Sequence, residues 1–242
     1  MQVARYDLTA PSPIPTEFLY PKKLYHCAAN VDLLRPYTAL TQENLYGTAS
    51  LLSICAAKTQ LHYVSTLSAS EPTGGYAQSK WAAEQLVKST GLAWCITRPS
   101  LLAGHSQKKQ LNHHDFFYAL LSESFRQRQL PGLGFFFDLV FVDQAARRIC
   151  EVTAGEHPIQ SARPISLPEI AEAMQRHAKG LALAPYASWR RAARGEEIQP
   201  HLAYLDALAL CGPAVKPLGS KEAQMTSSRE VLDKYLEAFF EG

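Results

Sequence analysis

The sequence predicts an α/β protein, a partial doubly wound parallel sheet followed by a mostly helical C-terminal lobe. Three observations carry this reading. Short β-prone runs at 23–29, 61–64 and 94–97 alternate with helical patterns at 41–58 and 76–87, as strands joined by crossover helices do. Two of the runs end in small or hydroxyl residues, Ala28-Ala29 and Ser65-Thr66. Beyond residue 160, helix-start signals dominate: Ser166-Leu-Pro-Glu169 and Ser227-Ser-Arg-Glu230 each have the spacing of a capping box.

Taken in order, residues 2–8 read as a short strand ending at Asp7, and 9–21, with four prolines, as a loop. The run 23–29 is a buried strand whose Ala28-Ala29 end permits close backbone approach. Residues 41–58 form a helix, with Leu45, Thr48, Leu52 and Cys55 on one face. Asn44 sits in its first turns. The strand 61–64 ends at Ser65 and Thr66. A Gly74-Gly75 turn then opens a helix carrying Tyr76, Lys80, Ala83 and Val87 along one face. The strand at 94–97 is followed by Arg98-Pro99. Residues 115–126 are a helix with the apolar stripe Phe116, Phe117, Leu120 and Leu121, read as core. Another helix runs through Cys150, with Asp143 as its expected N-cap. The C-terminal lobe closes on an amphipathic helix through Val231, Leu232, Tyr235, Leu236 and Phe239.

Composition narrows the function classes. At 242 residues, 47% hydrophobic and 19% charged, the chain can bury a proper core. A formal charge of +2 gives no case for nucleic acid or an anionic membrane as partner. The five cysteines (27, 55, 95, 150, 211) form no C-x-x-C pair, so reduced thiols and a cytoplasmic location are expected. No signal peptide is expected, because the N-terminus lacks a basic start and an apolar core. The most apolar stretch, 133–142, is short and contains Asp138, so no membrane span is expected. His113-His114-Asp115 is not expected to bind metal, since adjacent helical residues point apart.

The chemistry concentrates in 61–86, LHYVSTLSASEPTGGYAQSKWAAEQL. Tyr76 and Lys80 are four apart, hence stacked on a helix with β-carbons about 5–6 Å apart. A free phenol has a pKa of about 10, and a nearby ammonium favours the phenolate, which would bring it toward the range for proton transfer. A strand-end hydroxyl facing this pair could hold a carbonyl oxygen. In outline this is a carbonyl reduction site.

Four segments in matching order and spacing, YHCAANVDLLRPYTALTQENLYGT (25–48), LHYVST (61–66), GGYAQSKWAAEQL (74–86) and ITRPSLLAGHS (96–106), resemble the thioester reductase family. Its members are extended short-chain dehydrogenase/reductases at the ends of nonribosomal peptide and polyketide assembly lines and in carboxylic acid reductases. The resemblance implies a Rossmann-like NAD(P)-binding domain over 1–160 and a helical substrate- and carrier-binding lobe over 161–242. It implies NADPH as cofactor and, as partner, an acyl or peptidyl carrier protein presenting a phosphopantetheine thioester. Thr66 would hold the carbonyl oxygen, with Ser65 as the second candidate. Tyr76 would give the proton, and Lys80 would lower its pKa and bind the ribose hydroxyls. Asp7 would lie near the adenine and Ala28-Ala29 against the cofactor. Asn44 would join the polar network that places Lys80, while Arg98 and Pro99 would border the nicotinamide pocket. The basic run Trp189-Arg-Arg-Ala-Ala-Arg194 would offer a landing patch to an acidic carrier.

Two departures stand out. Tyr6 replaces the family's glycine before Asp7, and the Gly-rich phosphate-binding turn, expected some tens of residues before the strand at 2–8, is not among these residues. Gly132-Leu-Gly134 lacks the strand–turn–helix setting and is not that turn. Tight NADPH binding by these 242 residues alone is therefore not expected. With the first two strands missing, the 23–29 strand becomes a sheet edge needing cover from a second chain, a swapped copy or the 2–8 segment. Two other readings stay open: a non-catalytic remnant or docking subunit that binds a carrier, and an extended sugar-nucleotide epimerase or dehydratase.

Overall fold

The computed structural model describes residues 6–8, 14–211 and 225–241. The chain divides into two compact units, residues 1–99 with 147–159, and residues 100–146 with 160–242.

The first unit is built on a four-stranded, all-parallel sheet in the order Lys23–His26, Gln60–Val64, Ala93–Pro99, Gly155–Ile159. Strand alternation explains the side-chain distribution. Leu61 and Tyr63 pair with Trp94 and Ile96 on one face, and His62 pairs with Cys95 on the other. Leu61, Tyr63 and Ile96 pack with Ala83 and Val87 of the Gly75–Ser89 helix. His62 and Cys95 are buried as well, so the two central strands are covered on both faces, as parallel sheets require. Among the described residues, Lys23–His26 is an edge of this sheet. Of the strand expected over 2–8, Tyr6, Asp7 and Leu8 are described and lie outside any strand, while 2–5 fall outside the described residues.

The helix expected over 41–58 begins earlier and ends sooner. It starts at Tyr37, behind the extended Pro36, and ends at Leu52. Its middle, Gln42–Tyr46, is a π-helical segment, which rotates the faces of the later turns relative to a regular α-helix.

In the second unit the aromatic stripe is core: Phe116, Phe117, Leu120 and Leu121 of the Phe116–Gln127 helix pack with Leu167, Ile170, Leu232 and Leu236. Asp115 caps that helix, its carboxylate accepting from the Tyr118 N–H at 2.7 Å. Ser166 and Glu169 form the reciprocal capping box. Before the final helix, Ser228–Glu241, the Ser227 hydroxyl accepts from the Glu230 N–H at 3.3 Å. Gly132 ends the strand Gln129–Gly132, which pairs in parallel with Ala182–Pro185. Asp143 corrects an expectation: the helix is Val142–Glu151, so Asp143 lies inside its first turn rather than at its N-cap. Its carboxylate instead accepts from the backbone N–H and the hydroxyl of Ser106, at 2.8 and 2.6 Å. Among the described residues no helix is long and apolar enough to cross a membrane.

Candidate active site

The site residues of the first unit gather where the sheet strands end and the Gly75–Ser89 helix begins. Gly75 explains how close that approach is. A β-carbon there would lie 2.2 Å from the Arg35 carbonyl oxygen and 2.6 Å from the Tyr37 nitrogen, so only glycine lets the helix start against segment 35–37. Gly75→Ala is expected to cost about 1–3 kcal/mol, the scale of overpacking a close contact, and to displace the adjacent Tyr76. Urea unfolding of the variant checks this; unchanged stability would show that segment 35–37 yields freely.

Lys80 is 1% exposed. Its Nζ donates to the Val64 carbonyl oxygen at 2.8 Å and lies 4.3 Å from the centre of the Tyr63 ring. Burial pulls its pKa down to about 7, against the opposing influence of Glu84 and Cys27. Tyr76 is half-buried, and burial pushes its phenol up to about 12. The expected lowering of that pKa by Lys80 is thus not what this geometry gives: desolvation dominates at Tyr76, and the Lys80 amine is engaged with Val64 and Tyr63.

The two strand-end hydroxyls differ in accessibility. Ser65 is buried, its N–H donating to the Thr97 carbonyl oxygen at 2.7 Å. Thr66 is half-exposed in extended backbone, its hydroxyl 3.2 Å from that of Ser68. Thr66 is therefore the hydroxyl open to a ligand.

Asn44 is 1% exposed on the π-helical segment. Its side-chain oxygen accepts from the Asn30 N–H at 2.7 Å, and its amide donates to the Asn30 carbonyl oxygen and to Ser79 Oγ, both at 2.9 Å. Both amide hydrogens are thereby used, so Asn44 ties the strand-end loop to the residue beside Lys80 and holds position rather than reaching outward. Its own carbonyl accepts from Thr48 Oγ1 at 2.6 Å, and Thr48 Oγ1 lies 2.8 Å from His26 Nε2. With the Thr48 proton directed at Asn44, the Nε2–H tautomer of His26 completes the chain. Burial, aided by Lys80, lowers the His26 pKa to about 3 and keeps the imidazole neutral.

Beside this network lies an open cleft of about 560 Å³, lined by Tyr6, Asp7, Leu8, Cys27, Ala28, Ala29, Asn30 and Glu43. It brings together three residues named for the cofactor, Asp7, Ala28 and Ala29. Exposed Ala28 and half-buried Ala29 present only small side chains to the cleft, beside exposed Asp7, so the residues present suit the nucleoside side of a dinucleotide. Arg98 differs from expectation. Its guanidinium is committed to Glu84 and Glu156, because Trp94, Ile96 and Arg98 alternate onto the face covered by the Gly75–Ser89 helix. Pro99 is the buried last residue of its strand, opposite Ile159. Sequence reasoning missed Ser79, His26, Thr48 and Glu84. For Glu84 a signal existed, since it continues the four-residue spacing of Tyr76 and Lys80.

In the second unit, the basic run resolves into unlike parts. Trp189 is fully buried, its indole N–H donating to the Gln129 carbonyl oxygen at 2.9 Å. Arg190 Nε lies 3.0 Å from Asp206, which also accepts from the Tyr186 hydroxyl. Arg191 and Arg194 remain exposed. Among the described residues no cluster of three His, Cys, Asp or Glu side chains is placed to hold a metal ion.

Comparison with known proteins adds four findings. The profile of an NAD-binding family described as Male sterility protein matches residues 22–75 and 67–149. The chain is 28% identical over 200 residues to an isonitrile lipopeptide synthase of Streptomyces coeruleorubidus (71% of this chain, 14% of that protein). It is 29% identical over 176 residues to the aldehyde reductase lnbA of Aspergillus flavus (60% and 18%). The chain thus spans less than a fifth of these relatives. Among solved structures, the terminal R domain from the myxalamid PKS-NRPS biosynthetic pathway superposes with a TM-score of 0.80 at 26% identity, covering 97% of this chain and 73% of that one.

Proposed function

Because this chain belongs to the NAD-binding Male sterility protein family, we propose that it acts as a thioester reductase: it reduces a carrier-bound acyl thioester, with NADPH as the electron donor, to an aldehyde or alcohol. The observation that carries this reading is the placement of a half-buried phenol, Tyr76, one helical turn from the buried amine of Lys80, on the unit whose strand ends bear the open hydroxyl of Thr66. The names of its relatives, a lipopeptide synthase and an aldehyde reductase, support it.

A bound reduced nicotinamide would supply the hydride. Asp7, Ala28 and Ala29 would hold the cofactor's nucleoside side in the cleft, and the amine of Lys80, with one N–H on Val64, would keep two for ribose hydroxyls. Thr66 would donate to the substrate carbonyl oxygen and fix its orientation. Tyr76, protonated at neutral pH, would deliver its proton to that oxygen as negative charge develops there, and breakage of the C–S bond in the resulting hemithioacetal would release the carrier's thiol and leave the aldehyde. Lys80, when charged, would stabilise the phenolate left behind.

The carrier would land on the second unit, at Arg191 and Arg194; Arg190 contributes little because Asp206 neutralises it. The test is loss of reduced-nicotinamide absorbance with an acyl thioester, carrier-bound or free, using the longest natural form of the protein. Thioester-dependent oxidation of NADPH, with aldehyde or alcohol formed, is expected; its absence with every thioester would overturn the reading. Arg191→Glu with Arg194→Glu should weaken turnover of the carrier-bound substrate in a salt-dependent way and spare the free one. Equal effects on both would remove the patch from the carrier.

A further inference from the structure

The helix that bears Tyr76 and Lys80 carries a third polar side chain one turn further on. Glu84 is 0% exposed and stands four residues after Lys80, on the same helix face. A carboxylate buried to that degree requires a counter-cation and hydrogen bonds. Arg98 supplies both from the adjacent strand: Nε donates to Oε1 at 2.8 Å and Nη2 to Oε2 at 2.5 Å, the two-pronged geometry that guanidinium and carboxylate share. Arg98 Nη1 meets Glu156 at 2.6 Å, and Glu156 takes Lys88 at 2.5 Å. The row Glu84, Arg98, Glu156, Lys88 alternates in sign, and its buried end is the neighbour of Lys80.

We propose that Glu84, locked in place by Arg98, is a positioning residue that favours the charged form of the buried Lys80 amine, which the Val64 carbonyl oxygen directs at the strand end. Glu84 and, less strongly, Cys27 oppose the effect of burial on Lys80, and of the two only Glu84 is a carboxylate. From the edge strand and the turn after it, His26 is held neutral by burial and the Cys27 thiol is pushed up by burial. From the neighbouring strand come the Tyr63 ring, its phenol raised by burial, and the Val64 carbonyl. Tyr76, one turn earlier, is raised as well. None of these groups is an anion at neutral pH. Glu84 supplies the opposing negative charge that acts on Lys80, and Arg98 tempers it. Without Glu84 the amine, already weakened by burial, would be neutral at pH 7 and would lose the charge that a phenolate at Tyr76 calls for.

This inference rests on the reading of Lys80 as the site lysine, but its test reads a titration and not turnover, so the two fail separately. In the full chain, the Lys80 side-chain carbon next to the amine is followed by NMR across neutral and alkaline pH, with Lys80→Met assigning the signal. Glu84→Gln is expected to move the midpoint down by about one pH unit or more, Glu84→Asp to restore it in large part, and Arg98→Gln to move it up. A stability loss in Glu84→Gln with the midpoint unchanged would make the pair merely structural and overturn the proposal. If Glu84→Gln does not fold, Glu84→Leu with Arg98→Leu replaces the pair by apolar side chains, an exchange that buried ion pairs often tolerate. There the midpoint should still fall, but by less than in Glu84→Gln, because the loss of Arg98 offsets part of the loss of Glu84; a midpoint that stays or rises overturns the proposal.

Discussion

Tyr76→Phe is expected to lower turnover by roughly 10²–10⁴-fold, the scale of losing a positioned proton donor, while cofactor affinity stays within a few-fold. The substitution removes one hydroxyl and keeps the ring that fills the half-buried position at the helix start, so the fold should be little affected. The phenol, pushed up to about 12 by burial, is protonated at neutral pH, which suits a donor. On the proposed reading, its loss would leave the developing negative charge on the substrate oxygen with the Thr66 hydroxyl alone. Lys80→Ala should damage both turnover and cofactor affinity, because on the proposed reading the amine would serve phenolate and ribose together. Steady-state kinetics beside a direct cofactor titration separate the two patterns. Small and equal effects of both substitutions would remove Tyr76 and Lys80 from the chemistry.

How much of the fold and site was legible in the sequence depends on which periodicity each residue obeys. Tyr76 and Lys80 were readable because helical spacing alone stacks them, and the aromatic stripe at 116–121 because its spacing predicts one buried face. Ala28 and Ala29, read as the end of a strand over 23–29, lie beyond a strand that stops at His26, and Thr66 lies just beyond one that stops at Val64. Arg98 was misjudged because strand alternation says that neighbours face opposite ways but not which way is inward; the partner that decides, Glu84, lies fourteen residues earlier and on another element. The partners of Asn44 were not legible, because its π-helical turn, invisible in a pattern of apolar residues, turns its amide onto Asn30 and Ser79. Trp189 sits in a basic run that resembles a surface face. It is buried because the pairing of Gln129–Gly132 with Ala182–Pro185, a long-range event, places an acceptor at its indole N–H. Asp143 looked like a cap because an acid opens the helix, and tertiary contact with Ser106 claimed it instead.

The second large effect concerns stability. Lys80→Met should make the protein more stable at neutral pH by about 2–4 kcal/mol while abolishing its function. The native pKa of Lys80 is about 7 against 10.5 for the unsheltered group, a shift of about 3.5 units, worth at most about 5 kcal/mol at 1.36 kcal/mol per unit. Between these two values the unfolded chain still holds the Lys80 proton and the native protein has released it. Unfolding therefore takes up a proton, and stability rises with pH through this window. Below pH 7 both states are protonated and the full cost of burying the charge is present; above 10.5 both are neutral and it is gone. Methionine has nearly the same length and shape and needs no desolvation of charge, so it removes the cost, less about 1 kcal/mol for the hydrogen bond lost at the Val64 carbonyl. Urea unfolding of both proteins at intervals from about pH 6 to pH 10 tests this through the difference between them, which cancels every other titrating group. The advantage of the Met variant should be constant below pH 7 and shrink steadily above it. A variant less stable than the parent, or an advantage that does not change with pH, would mean that Lys80 is not held against its own desolvation.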